Sequence, residues 1–265
     1  MSTISVVVPS YNDAVYLAGC LDALAVQSRP ADEIIVVDNG STDDTANVAI
    51  AHGARLVSEP VRGVWPATAA GLDAASGDVL ARLDADSVPA PGWLAEVERR
   101  MSREDRPTII TGSGVFYGAN APIRWIARNI YLGGYFALIG LLLGHPPAFG
   151  SNYAMRRDAW LELRELVHRD RGDVHDDLDL SWWIQPGMIV VRHDTLLVGL
   201  SARPFDSLGG LWRRMRIAFV TLAIDFRAWS PRERRAAHRR ASAHWGASDE
   251  VDVDVDVEGE EPLPA

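Results

Sequence analysis

The sequence predicts an α/β fold in which a mostly parallel sheet is flanked by helices. Two observations predict it. The first hundred residues alternate short β-branched runs with helical patterns, as strand-helix-strand crossovers do. A chain of 265 residues is also long enough to bury one large core.

Strands are expected at residues 4–8, 33–37, 54–57 and 79–83. The helices between them open near Asn12 or Asp13, at Ser41 as a cap with Asp44 three residues on, and over 64–75. A fourth takes Pro91 into its first turn and runs through Trp93, Leu94 and Val97. Within the first helix, Leu17, Cys20, Leu21 and Leu24 form an i, i+3, i+4, i+7 stripe, so the single cysteine is read as core and not as a nucleophile. Beyond residue 108 the pattern becomes mixed. Strand-like runs at 108–111 and 150–155 surround an apolar helix over 130–143, and 189–191 and 196–200 precede Arg-rich helices. One domain is expected over 1–245, divided into halves at 1–100 and 101–205 and a helical segment at 206–245. The tail 246–265 is expected to be disordered, because it carries eight acids of one sign beside Gly and Pro.

The formal net charge is −10, but those eight acids leave the body at about −2. A nearly neutral body does not suit a nucleic-acid binder. Between Arg203 and Arg240 ten arginines face only Asp206, Asp225 and Glu233, an excess that suits anionic lipid, a phosphate-bearing ligand or a solvated surface. Every residue counted as Lys or Arg is Arg, and one cysteine agrees with a reducing compartment. The N-terminus has no basic region ahead of an apolar run, so no secretory signal is expected. The apolar segment 130–143, interrupted by Gly133, Gly134 and Gly140, is shorter than a spanning helix needs and is read as buried or interfacial.

The chemistry-bearing residues cluster where such strands end. Ligands of open parallel sheets bind beyond the carboxyl ends of the strands, so Pro9-Ser10-Tyr11-Asn12 and Asp38-Asn39-Gly40-Ser41 should flank one crevice. The fourth strand runs into Asp84-Ala85-Asp86, hard oxygen ligands suited to Mg²⁺ or Mn²⁺ carrying a diphosphate. A third acidic group, His175-Asp176-Asp177-Leu178-Asp179, opens a helix and offers a general base or simply a first-turn cap.

In order and spacing, VVVPSYN, IIVVDNGSTDDT, GDVLARLDADSVP, GSNYAMRRDAW and HDDLDLSW resemble the blocks of family 2 glycosyltransferases with a GT-A fold, over residues 2–205. The resemblance implies an inverting, nucleotide-sugar-dependent transferase with an acceptor-side α/β extension and C-terminal helices. It implies nucleotide contacts at Pro9, Tyr11 and Asp38, and a diphosphate and divalent-metal site at Asp84 and Asp86, with Asp86 the direct ligand. It makes Asp177 the base and puts Gly150, Asn152 and Asp176 on the acceptor side. Ser201-Ala202-Arg203 resembles a late Ser-x-Arg block. Ala67-Thr68-Ala69-Ala70-Gly71 departs from the family's Ala-Arg-Asn, Asp176 replaces the usual Glu, and the Q-x-x-R-W signature is absent, which favours a single transfer over polymerisation.

The partners implied are a nucleoside-diphosphate sugar and a glycan, lipid-linked or small-molecule acceptor, with no nucleic acid. The expected setting is cytoplasmic, with room for peripheral contact at the inner membrane face, in envelope glycan synthesis. Rival readings are an inactive sugar-nucleotide-binding module and a nucleotidyltransferase. The latter should show a glycine-rich loop with a basic residue after strand one, which VVVPSYND lacks. The missing G-x-G-x-x-G disfavours a dinucleotide oxidoreductase.

Overall fold

The computed structural model describes residues 2–103, 106–203 and 208–245. The expectation for the tail lies outside these residues. Eight strands form one sheet: β1 (Ile4–Ser10), β2 (Glu33–Asp38), β3 (Arg55–Ser58), β4 (Val79–Arg82), β5 (Val88–Pro89), β6 (Ile109–Tyr117), β7 (Tyr153–Arg156) and β8 (Val190–Ser201). Their order is β3-β2-β1-β4-β7-β6-β8-β5. The β3-β2-β1-β4 half is parallel throughout, and β7 enters antiparallel to both β4 and β6. The expected α/β fold, a sheet flanked by helices, is therefore present, and the sheet is mixed in its second half.

Helices α1 (Ala14–Ala25), α2 (Thr45–Ala51), α3 (Val64–Ala74) and α4 (Trp93–Met101) fill the first half. The sheet buries both faces. Val6 and Val8 of β1 join Leu17, Cys20, Leu21, Trp93 and Leu94 on one side. Val7 joins Val37, Trp65, Leu72 and Trp160 on the other, as the period-two alternation of a strand requires. Both layers are covered, so β1 is buried along its whole length and reads as an unbroken apolar run. α3 lies so close to the sheet that a Cβ on Gly71 would stand 2.3 Å from Val7 Cγ1, which fixes glycine there.

Small corrections concern caps. α2 begins at Thr45, and Ser41 does not cap it: its Oγ accepts instead from Asn12 N at 3.0 Å. Pro91 stands two residues ahead of α4.

The apolar segment departs most from expectation. Helix begins at Ala121, capped by Asn120 Oδ1 on Ile123 N, and continues as α5 (Ala121–Ile126), a π-helical turn (Ala127–Leu132) and α6 (Gly133–Leu143). Only its inner stripe, Ala127, Leu132, Phe136 and Leu143, is buried. It is the one helix among the described residues long and apolar enough to cross a membrane. α7 (Arg157–Leu163), α8 (Asp176–Trp183), α9 (Leu208–Ala228) and α10 (Pro231–Trp245) complete the fold, so the Arg-rich segment is helical as expected.

Candidate active site

The loops after β1 and β2 are tied to each other. Thr42 N donates to Asn12 Oδ1 at 2.7 Å and Ala14 N to Asp43 Oδ2 at 3.0 Å, while within the second loop Ser41 N donates to Asp38 Oδ1 at 2.9 Å. Asn12 adopts φ 50°, a left-handed conformation that Asn tolerates. Pro9 is buried at the end of β1, paired with Val37. Tyr11 is 45% exposed at the rim, with the Arg62 guanidinium 3.3 Å from its ring centre. Arg62 is in turn held by Asn39 O at 2.7 Å. These contacts form one rim carrying Tyr11, Asp38 and Arg62.

The chain leaving β4 brings the carboxylates in. Arg82, buried in the strand, splits its guanidinium between Asp84 Oδ1 at 2.7 Å and Asp176 Oδ2 at 2.9 Å. Thr68 Oγ1 also donates to Asp176 Oδ2, at 2.9 Å. Thr68, which stands in the departing Ala-Thr-Ala-Ala block, thus helps to hold Asp176. Ser151 Oγ donates to Asp84 Oδ2. Asp86 Oδ2 accepts from Arg203 Nη2 at 2.7 Å, and the same arginine reaches Asp13 Oδ1 at 2.6 Å and covers the Tyr16 ring.

α8 supplies the third group. Asp177 Oδ2 accepts from Gly150 N at 3.1 Å and from Tyr135 Oη at 3.4 Å, while Oδ1 accepts from His175 Nδ1 at 3.0 Å. A Cβ on residue 150 would lie 3.0 Å from Arg82 Nη1 and 3.2 Å from Asp177 Oδ2, so glycine lets the backbone N–H approach the carboxylate. Burial acts to raise the Asp177 pKa, but His175, the Gly150 N–H and Arg82 together outweigh it and hold the group below the ordinary carboxylate range. His175 moves the other way: burial opposes its charge, and the adjacent Asp177 overcomes that and raises it. Each partner thus favours the charged form of the other, the imidazole half-buried and the carboxylate buried. Asp86 is raised, first by burial and then by Asp84, against the pull of Arg203.

Asp86 fits a divalent cation on the chemistry of its surroundings. It is a mostly buried carboxylate beside a second carboxylate, and a guanidinium already sits on it as a stand-in cation. Hard oxygen donors of this kind suit Mn²⁺ or Mg²⁺. His175, Asp176 and Asp177 also bring ligand atoms within 4.8 Å of one another. Their oxygens, however, are engaged by Gly150, His175, Tyr135, Arg82 and Thr68.

Asp84, Asp86, Asp176, Asp177 and Gly150 are thus brought together at the carboxyl ends of the strands. Asn152 turns into the core instead: it is fully buried, donating to Ser113 O and Leu196 O and accepting from Trp93 Nε1. Asp179 faces away from Asp177, accepting from Trp65 Nε1 at 2.6 Å and from His168 N at 2.8 Å. The roles of Arg82, His175 and Tyr135 were not read from the sequence. The one signal was a charged residue, Arg82, inside an otherwise apolar strand.

Comparisons with known proteins bear on the fold and the family. The chain is 35% identical over 120 residues to the glycosyltransferase AglE of Haloferax volcanii, covering 42% of this chain and 36% of that protein. It is 41% identical over 105 residues to glucosyl-3-phosphoglycerate synthase of Mycobacterium tuberculosis, covering 35% of this chain and 32% of that one. The curated relatives are thus matched over about a third to a half of their own length, up to 54% for an uncharacterized glycosyltransferase of Mycobacterium tuberculosis. A crystal structure of the synthase with Mn²⁺ and UDP-glucose superposes with TM-score 0.57 at 26% identity, covering 84% of this chain and 79% of that one. The Pyrobaculum calidifontis mannosyltransferase PcManGT, solved with GDP-Man and Mn²⁺, shares the fold at TM-score 0.63 and 20% identity, covering 94% and 76% of the two chains. The glycosyl transferase family 2 model matches residues 5–163, well over half of the chain, and the protein belongs to that family with a GT-A fold.

Proposed function

We propose that this protein is an inverting glycosyltransferase that moves a sugar from a nucleoside-diphosphate sugar to an acceptor hydroxyl in a single displacement, with Asp177 as general base. The observation that carries the reading is the state of Asp177. It is buried, oriented by the Gly150 N–H and His175, and held deprotonated at neutral pH. A base must be ionised and held in place, and the contacts of this carboxylate support both.

The other residues take roles that follow from their places. Tyr11 and Asp38 on the rim offer a ring face and a carboxylate to the base and ribose of the donor, beside Pro9 at the strand end. Asp86, with Asp84 beside it, would hold a divalent cation. That cation supplies charge neutralisation to the diphosphate when bound. The synthase whose structure holds Mn²⁺ with UDP-glucose supports this assignment. Arg82 keeps Asp84 and Asp176 from repelling each other and fixes both relative to Asp177. During transfer the acceptor hydroxyl gives its proton to an Asp177 oxygen as its own oxygen bonds to the anomeric carbon. Attack on the face opposite the departing nucleoside diphosphate inverts the configuration. Gly150 and Asp176 border the acceptor side.

The test is a donor panel followed by one substitution. Thermal shifts with UDP-, GDP- and TDP-sugars in the presence of Mn²⁺ identify the donor, because specific binding stabilises the native state by mass action. With that donor, Asp177→Asn is expected to lower turnover by at least about 10²-fold while donor affinity stays within a few-fold. Near-normal turnover in Asp177→Asn would remove Asp177 from the role of base.

A further inference from the structure

We propose that the outer face of the helix 121–143 docks this protein on an anionic phospholipid bilayer, lying in the plane of the interface and not crossing it. The helix presents Ile123, Trp125, Ile126, Ile130, Leu138 and Leu141 to solvent, with exposures of 61% at Trp125 and Ile130, 71% at Leu138 and 77% at Leu141. Ile123, Ile126, Ile130, Leu138 and Leu141 follow helical spacing through the π-helical turn, opposite the stripe that packs on the domain. An apolar stripe of this length facing water is unusual unless something covers it.

Charge selects what covers it. The helix carries Arg124 and Arg128, both exposed, and no acidic residue. α9 runs nearby, since Tyr131 of the apolar helix and Arg214 of α9 interact. It adds its own outer stripe of Trp212, Met215 and Phe219, with exposed Arg213 and Arg216 and no acid before buried Asp225. Apolar side chains with an aromatic anchor, flanked by arginines alone, match the acyl and headgroup layers of an anionic leaflet. A second copy of the chain fits less well, because a two-fold contact would set these arginines against one another with no carboxylate between.

Topology decides between lying and spanning. The helix leaves the sheet after β6 and returns to it at β7, and these two strands are neighbours. Its middle is fixed to the domain by buried Leu132 and Phe136 and by Tyr135 on Asp177. A spanning orientation would tear these contacts away and carry Tyr135 from the site. Lying flat keeps them, and it places the acceptor side of the site next to the lipid surface. That last consequence, an acceptor presented from the bilayer, rests on the transferase reading, whereas the docking does not.

The experiment is vesicle flotation of the full chain, which needs neither donor nor turnover. Vesicles of phosphatidylcholine with phosphatidylglycerol should carry the protein, and phosphatidylcholine alone should carry much less. Ile126→Glu with Ile130→Glu should cut the floated fraction by about tenfold or more, and Arg124→Ala with Arg128→Ala should remove the preference for phosphatidylglycerol. Both double variants should keep the wild-type melting temperature, since these side chains face away from the core. Alkaline carbonate should release the bound protein. Equal flotation of wild type and variants, or none of the wild type, overturns the proposal. So does retention after carbonate, which means spanning. Concentration-dependent dimerisation without lipid that Ile130→Glu abolishes would assign the face to a second copy and likewise overturn it.

Discussion

At the residue scale, Asp177 is set by its neighbours more than by its own position in a helix. Its depressed pKa depends on His175, whose charge favours the ionised carboxylate. Replacing His175 with Gln keeps a donor near Oδ1 but removes that charge. The Asp177 pKa should rise, so the acid limb of the kcat/KM profile should move to higher pH, with little change on the plateau. An unmoved acid limb would show that His175 only caps the helix. The aspartates were legible in the sequence because strand ends and helix starts are where carboxylates act, and their spacing survives outside any fold. Arg82, Thr68 and Tyr135 were not, because each acts on a carboxylate far away in the chain. Arg82 was the partial exception, as a guanidinium inside a buried strand requires anionic partners.

At the scale of elements, the sequence pattern located β1 to β4 closely, since each is a short apolar run ending at a turn. It divided β8 in two, because Arg192-His193-Asp194-Thr195 interrupts the alternation. In the structure the strand continues past an irregularity, with Gly112 opposite His193 and Ser113 opposite Leu197. It also shortened the apolar helix, whose three glycines are accommodated without breaking it. The C-terminal helices carry a contact that no local pattern reveals. Arg234 of α10 is fully buried and donates to Leu143 O at the end of α6, to Trp182 O at 2.8 Å and to His145 Nε2 at 2.6 Å. His145 accepts as a neutral ring, since burial, followed by the charges of Arg234 and His238, brings its pKa to about 3 against the pull of Pro146 O. One guanidinium therefore ties α10 to α6 and α8. Arg234→Met should orphan these acceptors and cost about 2–4 kcal/mol in urea unfolding. Arg234→Lys should recover only part, because an ammonium cannot span the same fork. A loss under about 0.5 kcal/mol for the Met variant would show that α10 is not fastened through this residue.

At the scale of the whole molecule, stability against pH is set by carboxylates pulling in opposite directions. Glu96, against the opposing effect of its burial, is brought to about 2 by Arg99, Arg100 and Thr195, so it favours the native state above the usual carboxylate range and loses that benefit in acid. Asp225 of α9 does the reverse. Its side chain is fully buried, neither carboxyl oxygen has a hydrogen bond among the described residues, and His168 Nδ1 lies 3.6 Å from Oδ1. Burial, followed by the adjacent Asp179, pushes it up to about 9. The sign follows from linkage. The unfolded chain releases this proton near pH 4 while the native state keeps it to about pH 9, so stability from this group is complete below the lower value and falls steadily between the two. Asparagine has nearly the same shape and cannot ionise. Asp225→Asn should therefore melt close to wild type at about pH 4 and higher than wild type by on the order of 10 °C or more at about pH 9, the gap widening smoothly between. Scanning calorimetry across that range checks it, and a gap that stays constant with pH would mean that Asp225 ionises freely in the native protein.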